Sequence, residues 1–324
     1  LTGKKRRLLF LLLVLSAALS GCASHTTKPS ASVVGNGTET AAASESKNIA
    51  VKHEWGTIEL KETPQRVVTL DFSFIDTLTS LGVTPIGNAG VGTTKIPEYL
   101  QDQVTGVTDV GERKAPNLEV VQSLNPDLII ASVDRHSMIR EDLTDIAPTA
   151  AFDDASLQQV LDNVHSLGTL VGKPEAAKGV IDGLKDKISM VRDQIEVAPT
   201  MVVAGFFDDD FTVWVKHSFI GSLLSEAGVN YAFDGEIANL EGKGEGATVT
   251  LERLHELNPD YILVYGDNPD KLQTNPLYQD LKAVKEHHFI SVDRNLWSRG
   301  RGPIAANRIL DELLAILSPQ SASE

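Results

Sequence analysis

The stretch Leu118-Glu119-Val120-Val121-Gln122-Ser123-Leu124-Asn125-Pro126-Asp127-Leu128-Ile129-Ile130 has a counterpart later in the chain. It is Leu251-Glu252-Arg253-Leu254-His255-Glu256-Leu257-Asn258-Pro259-Asp260-Tyr261-Ile262-Leu263. The Leu-Glu pair and the Leu-Asn-Pro-Asp turn have the same spacing in both copies. Each copy reads as a short amphipathic helix, a Pro-Asp turn and a buried strand. The repetition predicts two similar lobes, each presenting one glutamate from an equivalent helix. Two lobes create a cleft, and a cleft suits the gripping of a ligand.

Outward from the repeat the pattern is α/β. Residues 51–60 predict a small hairpin, and the β-branched run at 67–70 predicts a strand. A helix over 74–81 follows, with a turn at Gly82. Further strands are expected at 84–87, 128–132 and 149–152, alternating with helices, which implies mostly parallel sheets with helical crossovers. From Lys173 to Val197 the apolar residues Val180, Ile181, Leu184, Ile188, Val191 and Ile195 keep helical spacing behind Pro174-Glu175. One helix of that length, about 35 Å, is the connector between the lobes. Strands at 201–204, 212–215, 261–265 and 289–292, with helices at 220–227 and 303–317, complete the second lobe. The expected fold is therefore two α/β lobes with mostly parallel sheets, joined by one long helix, with a ligand cleft between them. The lobes are assigned to 51–172 and 199–324, and the connector to 173–198.

The first residues belong to neither lobe. Lys4, Lys5, Arg6 and Arg7 precede an apolar run over 8–19 that is short for a bilayer span. Leu19-Ser20-Gly21-Cys22 resembles a bacterial lipobox, which implies a signal segment over 1–21, cleavage before Cys22 and lipid attachment there. Residues 22–50, rich in Ser, Thr, Ala and Gly, read as a flexible tether. Cys22 is the single cysteine of 324 residues, so internal disulfides, cysteine-based zinc sites and a thiol catalyst in the folded body are excluded. The net charge of −15 argues against a nucleic-acid partner.

The motifs of the common nucleotide-binding and hydrolytic enzymes are missing, and the eight histidines are scattered, with no expected metal site. Gly242-Lys243-Gly244-Glu245-Gly246 follows no strand directly and reads as a loop. Against the acidic background, the arginines stand out. Arg113 precedes the first repeat helix, and Arg135 follows the strand at 128–132. Arg294, Arg299 and Arg301 follow the strand at 289–292 beside Trp297, while Trp214 and Lys216 close another second-lobe strand. Ligands of parallel α/β sheets bind beyond the strand C-termini, and guanidinium forks grip delocalised oxyanions. These eight residues are the candidate ligand contacts, for an anionic, oxygen-rich ligand. Asn117 and Thr250 are expected N-caps, and Glu119 and Glu252 first-turn carboxylates favoured by the helix dipole.

Taken together, the chain resembles the substrate-binding lipoproteins of iron–siderophore ABC importers, a group that also includes binders of cobalamin and haem. The resemblance rests on the lipobox at Cys22, Pro64-Gln65-Arg66-Val67-Val68, Pro116-Asn117-Leu118-Glu119 and both Asn-Pro-Asp units. The long central helix and Trp297-Ser298-Arg299-Gly300-Arg301-Gly302 complete it. It implies a rigid inter-lobe helix, small lobe closure and a shallow ligand cleft. It implies further that Glu119 and Glu252 dock on arginine pockets of an ABC permease dimer. The late Trp-x-Arg segment points to the ferric citrate and hydroxamate branches, with the iron held by the chelator and no cofactor or catalytic group on the protein. Cobalamin or haem is the alternative, although His136 and Met138 come from one loop and suit a haem axial pair poorly. The expected protein is a monomer, lipid-anchored on the outer face of the cell membrane.

Overall fold

A computed structural model describes residues 48–208, 210–235 and 244–318. The leader, Cys22 and almost all of the tether lie outside the described residues, as do Gly242 and Lys243 of the glycine-rich segment. A hairpin of β1 (Ile49–His53) and β2 (Gly56–Leu60) comes first among the described residues.

The first sheet contains β3 (Val67–Thr69), β4 (Gly87–Gly90), β5 (Thr108–Glu112), β6 (Ala115–Pro116), β7 (Leu128–Ser132) and β8 (Thr149–Phe152). Their order is β6-β5-β4-β3-β7-β8, parallel except for β6. The second contains β9 (Thr200–Phe207), β10 (Asp210–Trp214), β11 (Asn230–Tyr231), β12 (Gly246–Val249), β13 (Tyr261–Gly266) and β14 (Phe289–Ser291). It runs β12-β10-β9-β13-β14, with β11 beside β9. Here β9, β11, β13 and β14 are parallel, whereas β10 pairs antiparallel with both β9 and β12.

The repeated phrase has a physical purpose in both sheets. Asn125 and Asn258 adopt left-handed backbone, φ 45° and 39°, a conformation Asn tolerates better than most residues. Each turn then aims its aspartate at the start of the neighbouring strand. Asp127 accepts the N–H groups of Gln65 and Arg66 at 2.7 and 2.8 Å, immediately before β3. Asp260 accepts the N–H and hydroxyl of Thr200 at 2.7 Å, at the start of β9. The Asn-Pro-Asp unit thus sets the register of β7 against β3 and of β13 against β9.

The connector helix spans Pro174–Gln194, about 31 Å. It is shorter than expected because the chain becomes extended at Ile195. Ala177 lies in the core of the first lobe, while Leu184, Ile188 and Val191 lie in that of the second. One rigid element is therefore embedded in both cores. The helix Leu157–Leu170 packs so closely on it that a Cβ at Gly168 would overlap that of Ala177.

Two strands depart from expectation as well. The strand expected at 84–87 begins at Gly87. The preceding helix, Phe72–Ser80, ends with Val83 N–H bonded to Leu78 O and Gly82 at φ 72°, so 82–86 complete the turn. Gly87 needs to be small, since a Cβ there would meet Leu124 and Val110 at 2.7 and 2.9 Å. The second surprise is β12, which begins within the glycine-rich segment read as a loop and pairs with β10.

Candidate ligand cleft

The candidate side chains collect where parallel strands end. Asp71, two residues beyond β3, caps the helix Phe72–Ser80 and is 1% exposed. Its Oδ1 accepts the Phe72 N–H at 2.7 Å and the Arg113 Nη1 at 3.2 Å, while Oδ2 lies 3.3 Å from Arg135 Nε. Arg135 also donates to Ser132 Oγ at 2.9 Å. Burial opposes ionisation of Asp71, but Arg135, Arg113 and Arg301, with the Phe72 N–H, hold its carboxyl below the usual range. Behind this wall, buried His136 accepts the Ser132 N–H through Nδ1 at 2.9 Å and meets the Arg113 carbonyl through Nε2 at 2.7 Å. It ties the backbone of one arginine to the turn that carries the other.

The second lobe supplies a different arrangement. Arg294 starts a short helix, Arg294–Trp297, and lies over the rings of Phe207 and Tyr265, 4.4 and 5.8 Å from their centres. Arg299 donates to Asn295 Oδ1 at 2.7 Å. Neither forms an ion pair among the described residues. Partial burial, then the charges of Arg294 and of Arg113 in the opposite lobe, push the Arg299 guanidinium below its usual range. Arg299 thus senses like charge from both lobes, offset in part by Asp293. Beside Arg299 a cavity of about 500 Å³ opens between Thr94, Lys95, Glu98 and Gln101 of the first lobe and Asn295 of the second.

Two of the candidate ligand residues lie inside the protein. Trp297 is 1% exposed, packs in the second-lobe core and donates through Nε1 to Glu312 at 2.5 Å. Its ring is a core element. Arg301 is 6% exposed and already engaged. It reaches Asp154 of the first lobe at 3.2 Å, grips Glu245 with both Nη groups, and stands 5.3 Å from the Trp214 ring centre. Burial opposes its charge, yet Asp154 and Glu245 push it above its usual range, whereas burial raises the Glu245 carboxyl. Arg301 is therefore an inter-lobe tie and has no fork free for a ligand. Trp214 is half-buried, with Nε1 bonded to Tyr265 Oη at 2.9 Å, and Lys216 is exposed.

Asp71, Asp154 and Glu245 escaped the sequence reading because a carboxylate beside a strand end looks like any surface acid until its arginine partner is located. Asp76 escaped for a similar reason. It is fully buried on the first-lobe helix Phe72–Ser80, yet it accepts the N–H groups of Ile304 and Ala305 at 2.9 Å. It caps the closing helix Pro303–Leu317, whose core face lies in the second lobe. Desolvation raises its carboxyl to about 7 against these hydrogen bonds. A Cβ at Gly302 would overlap Asp76, so the arginine loop is pinned directly behind Arg301.

Glu119 and Glu252 lie in the first turns of helices Leu118–Ser123 and Leu251–Leu257. Asn117 and Thr250 provide the expected caps, and both glutamates are exposed, without an ion pair among the described residues. Hydrogen bonds from its own N–H and from Thr250 hold the Glu252 carboxyl below its usual range.

Known proteins agree with this architecture. The chain is 32% identical to YhfQ of Bacillus subtilis, named as an ABC transporter substrate-binding lipoprotein, over 96% of this chain and 97% of that one. It is also 32% identical to the Fe(3+)-citrate-binding protein YfmC of the same organism, over 80% of this chain and 83% of that protein. The crystal structure of Staphylococcus aureus SirA complexed with staphyloferrin B superposes with a TM-score of 0.72 at 26% identity, covering 83% of this chain and 98% of SirA. Such proteins bind substrates and do not transform them, and the fold here is the same pair of α/β lobes. Because residues 67–296 also match the family as a whole, this chain belongs to the periplasmic binding protein family.

Proposed function

We propose that this protein captures a ferric siderophore bearing carboxylates, of the ferric citrate or citrate–hydroxamate kind, and delivers it to an ABC permease. The observation that carries the reading is that Arg294 and Arg299, in the strand-end loop of the second lobe, form no ion pair among the described residues, while Arg113 of the first lobe adds like charge at Arg299. Such a group is relieved by an anion between the lobes. Arg135 extends it on the first-lobe wall, and Trp214 adjoins it on the second through Tyr265, with Lys216 the next exposed cation along the chain. The iron arrives enclosed by its chelator, and the protein reads the anionic periphery. The relatives that bind Fe(3+)-citrate and staphyloferrin B support this ligand class. Haem is less well served, since both ring nitrogens of His136 are engaged with the backbone. Glu119 and Glu252 form the matched pair of permease contacts, one on each lobe, in a monomer held at the membrane through lipid on Cys22.

The test is a titration of intrinsic tryptophan fluorescence with ferric citrate, ferric hydroxamates, ferric catecholates, haem and cobalamin. Saturable binding of a carboxylate-bearing ferric chelate is expected. Tight binding of haem or cobalamin, with no response to any ferric chelate, would sink the assignment.

A further inference from the structure

We infer that Asp71 is a specificity-determining residue of the cleft, a fixed internal counter-charge that makes the first-lobe wall favour a large chelate over small free polyanions. The inference rests on the anionic-ligand reading above and adds what the wall selects. Its starting point is a difference in stoichiometry. On the first-lobe wall one carboxylate serves two guanidinium groups, whereas Arg294 and Arg299 of the other lobe form no ion pair among the described residues.

The geometry restricts what the two shared arginines offer. Asp71 is 1% exposed and anchored as the cap of its helix, so it cannot swing aside. Arg113 meets it through Nη1, and Arg135 through Nε while Nη1 is held by Ser132. Only about 15% of each arginine side chain remains accessible. The wall therefore presents the outer edges of two oriented guanidiniums with a combined charge of one. A compact polyanion needs concentrated positive charge and full access to forks to offset its loss of hydration. This wall supplies neither. A bulky chelate with charge spread over several carboxylates reaches these edges and, simultaneously, Arg294 and Arg299 across the cleft. Asp71 acts through the arginines, so it is a positioning residue as well as a charge filter.

The experiment uses Asp71→Asn, which keeps the volume and remains a good helix cap, with Asp71→Ser as a second cap-competent variant. Circular dichroism and thermal melts establish that each is folded. Ferric citrate and free citrate are titrated into wild type and variants at low and moderate salt. Without Asp71 the wall gains a full charge, so free citrate should bind on the order of ten-fold tighter, with a steeper salt dependence. Ferric citrate should gain less or lose affinity, because the arginines are no longer oriented. A preference for ferric over free citrate that is the same in variants and wild type would overturn the proposal. Parallel weakening of both ligands with a lowered melting temperature would assign Asp71 a purely structural role. If the wild type binds no ferric chelate, it is the ligand reading that fails. Asp71 is then judged on free citrate alone, and unchanged citrate affinity in both variants overturns it.

Discussion

Arg299 and Arg301 are separated by one glycine, yet they occupy opposite electrostatic worlds. Arg299 is half-buried, carries no carboxylate partner among the described residues and is pressed by Arg294 and Arg113. Arg301 is buried and shared between Asp154 and Glu245, one from each lobe. Both sit in a loop beyond a parallel strand, and both have the forked chemistry that suits a carboxylate. The difference is whether the protein already supplies that carboxylate. Where it does, the arginine becomes part of the framework between the lobes. Where it does not, the arginine retains its affinity for an anion from outside.

The largest effect that separates the two should come from Arg301→Ala. Buried Asp154 and half-buried Glu245 would lose their shared partner, and breaking a buried pair from one side costs about 3–5 kcal/mol. Urea or thermal unfolding should show a loss of that size. A melting curve equal to wild type would show that Arg301 is not a framework residue, and the contrast would collapse. Next in size is Arg299→Ala, which should weaken binding of a ferric citrate-type chelate by roughly ten- to hundred-fold, the range for charge-assisted hydrogen bonds of about 1.5–3 kcal/mol. Stability should hold steady or rise slightly, because like-charge repulsion is relieved. Retained affinity with reduced stability would reverse the two roles.

A smaller, pH-dependent effect sharpens the framework side. Asp76 pins the same loop from behind, and its carboxyl is raised from the usual 3.8 to about 7 by desolvation. Between those values the folded protein binds more protons than the unfolded chain, so this contribution to stability is full below 3.8 and is lost as pH rises through about 7. Asp76→Asn should flatten that slope in unfolding measurements from pH 4 to 8, and an unaltered slope would locate the titrating group elsewhere. The smallest effect on the purified protein is expected from Glu119→Ala combined with Glu252→Ala, which should leave chelate affinity unchanged while abolishing uptake by cells. Normal uptake would return both glutamates to plain first-turn carboxylates.

Much of the framework was legible from periodicity. The strands Leu128–Ser132 and Thr149–Phe152 and the helix Pro303–Leu317 lie where their apolar patterns place them. The patterns are strong there because each element buries a continuous face. By contrast, Gly87-Asn88-Ala89-Gly90 is a fully buried strand without a single β-branched residue. It is small because Leu124 and Val110 crowd its start, and crowding between distant segments leaves no periodic trace. The cleft shows the same divide. Arg113, Arg135, Arg294 and Arg299 were singled out because strand ends in parallel sheets serve as ligand positions, and all four keep exposed surface. Trp297 and Arg301 fit that rule equally well and proved to be interior.

The sequence by itself determined two repeated units, a connector of helical period and a set of cations at strand ends, because these depend on local spacing and residue chemistry. Only the tertiary structure decided which cations remain available. That choice depends on the carboxylates Asp71, Asp154 and Glu245, brought beside their arginines from positions 42, 147 and 56 residues away. Electrostatic pairing falls off with distance through space, whereas distance along the chain says nothing about it until the lobes have folded together.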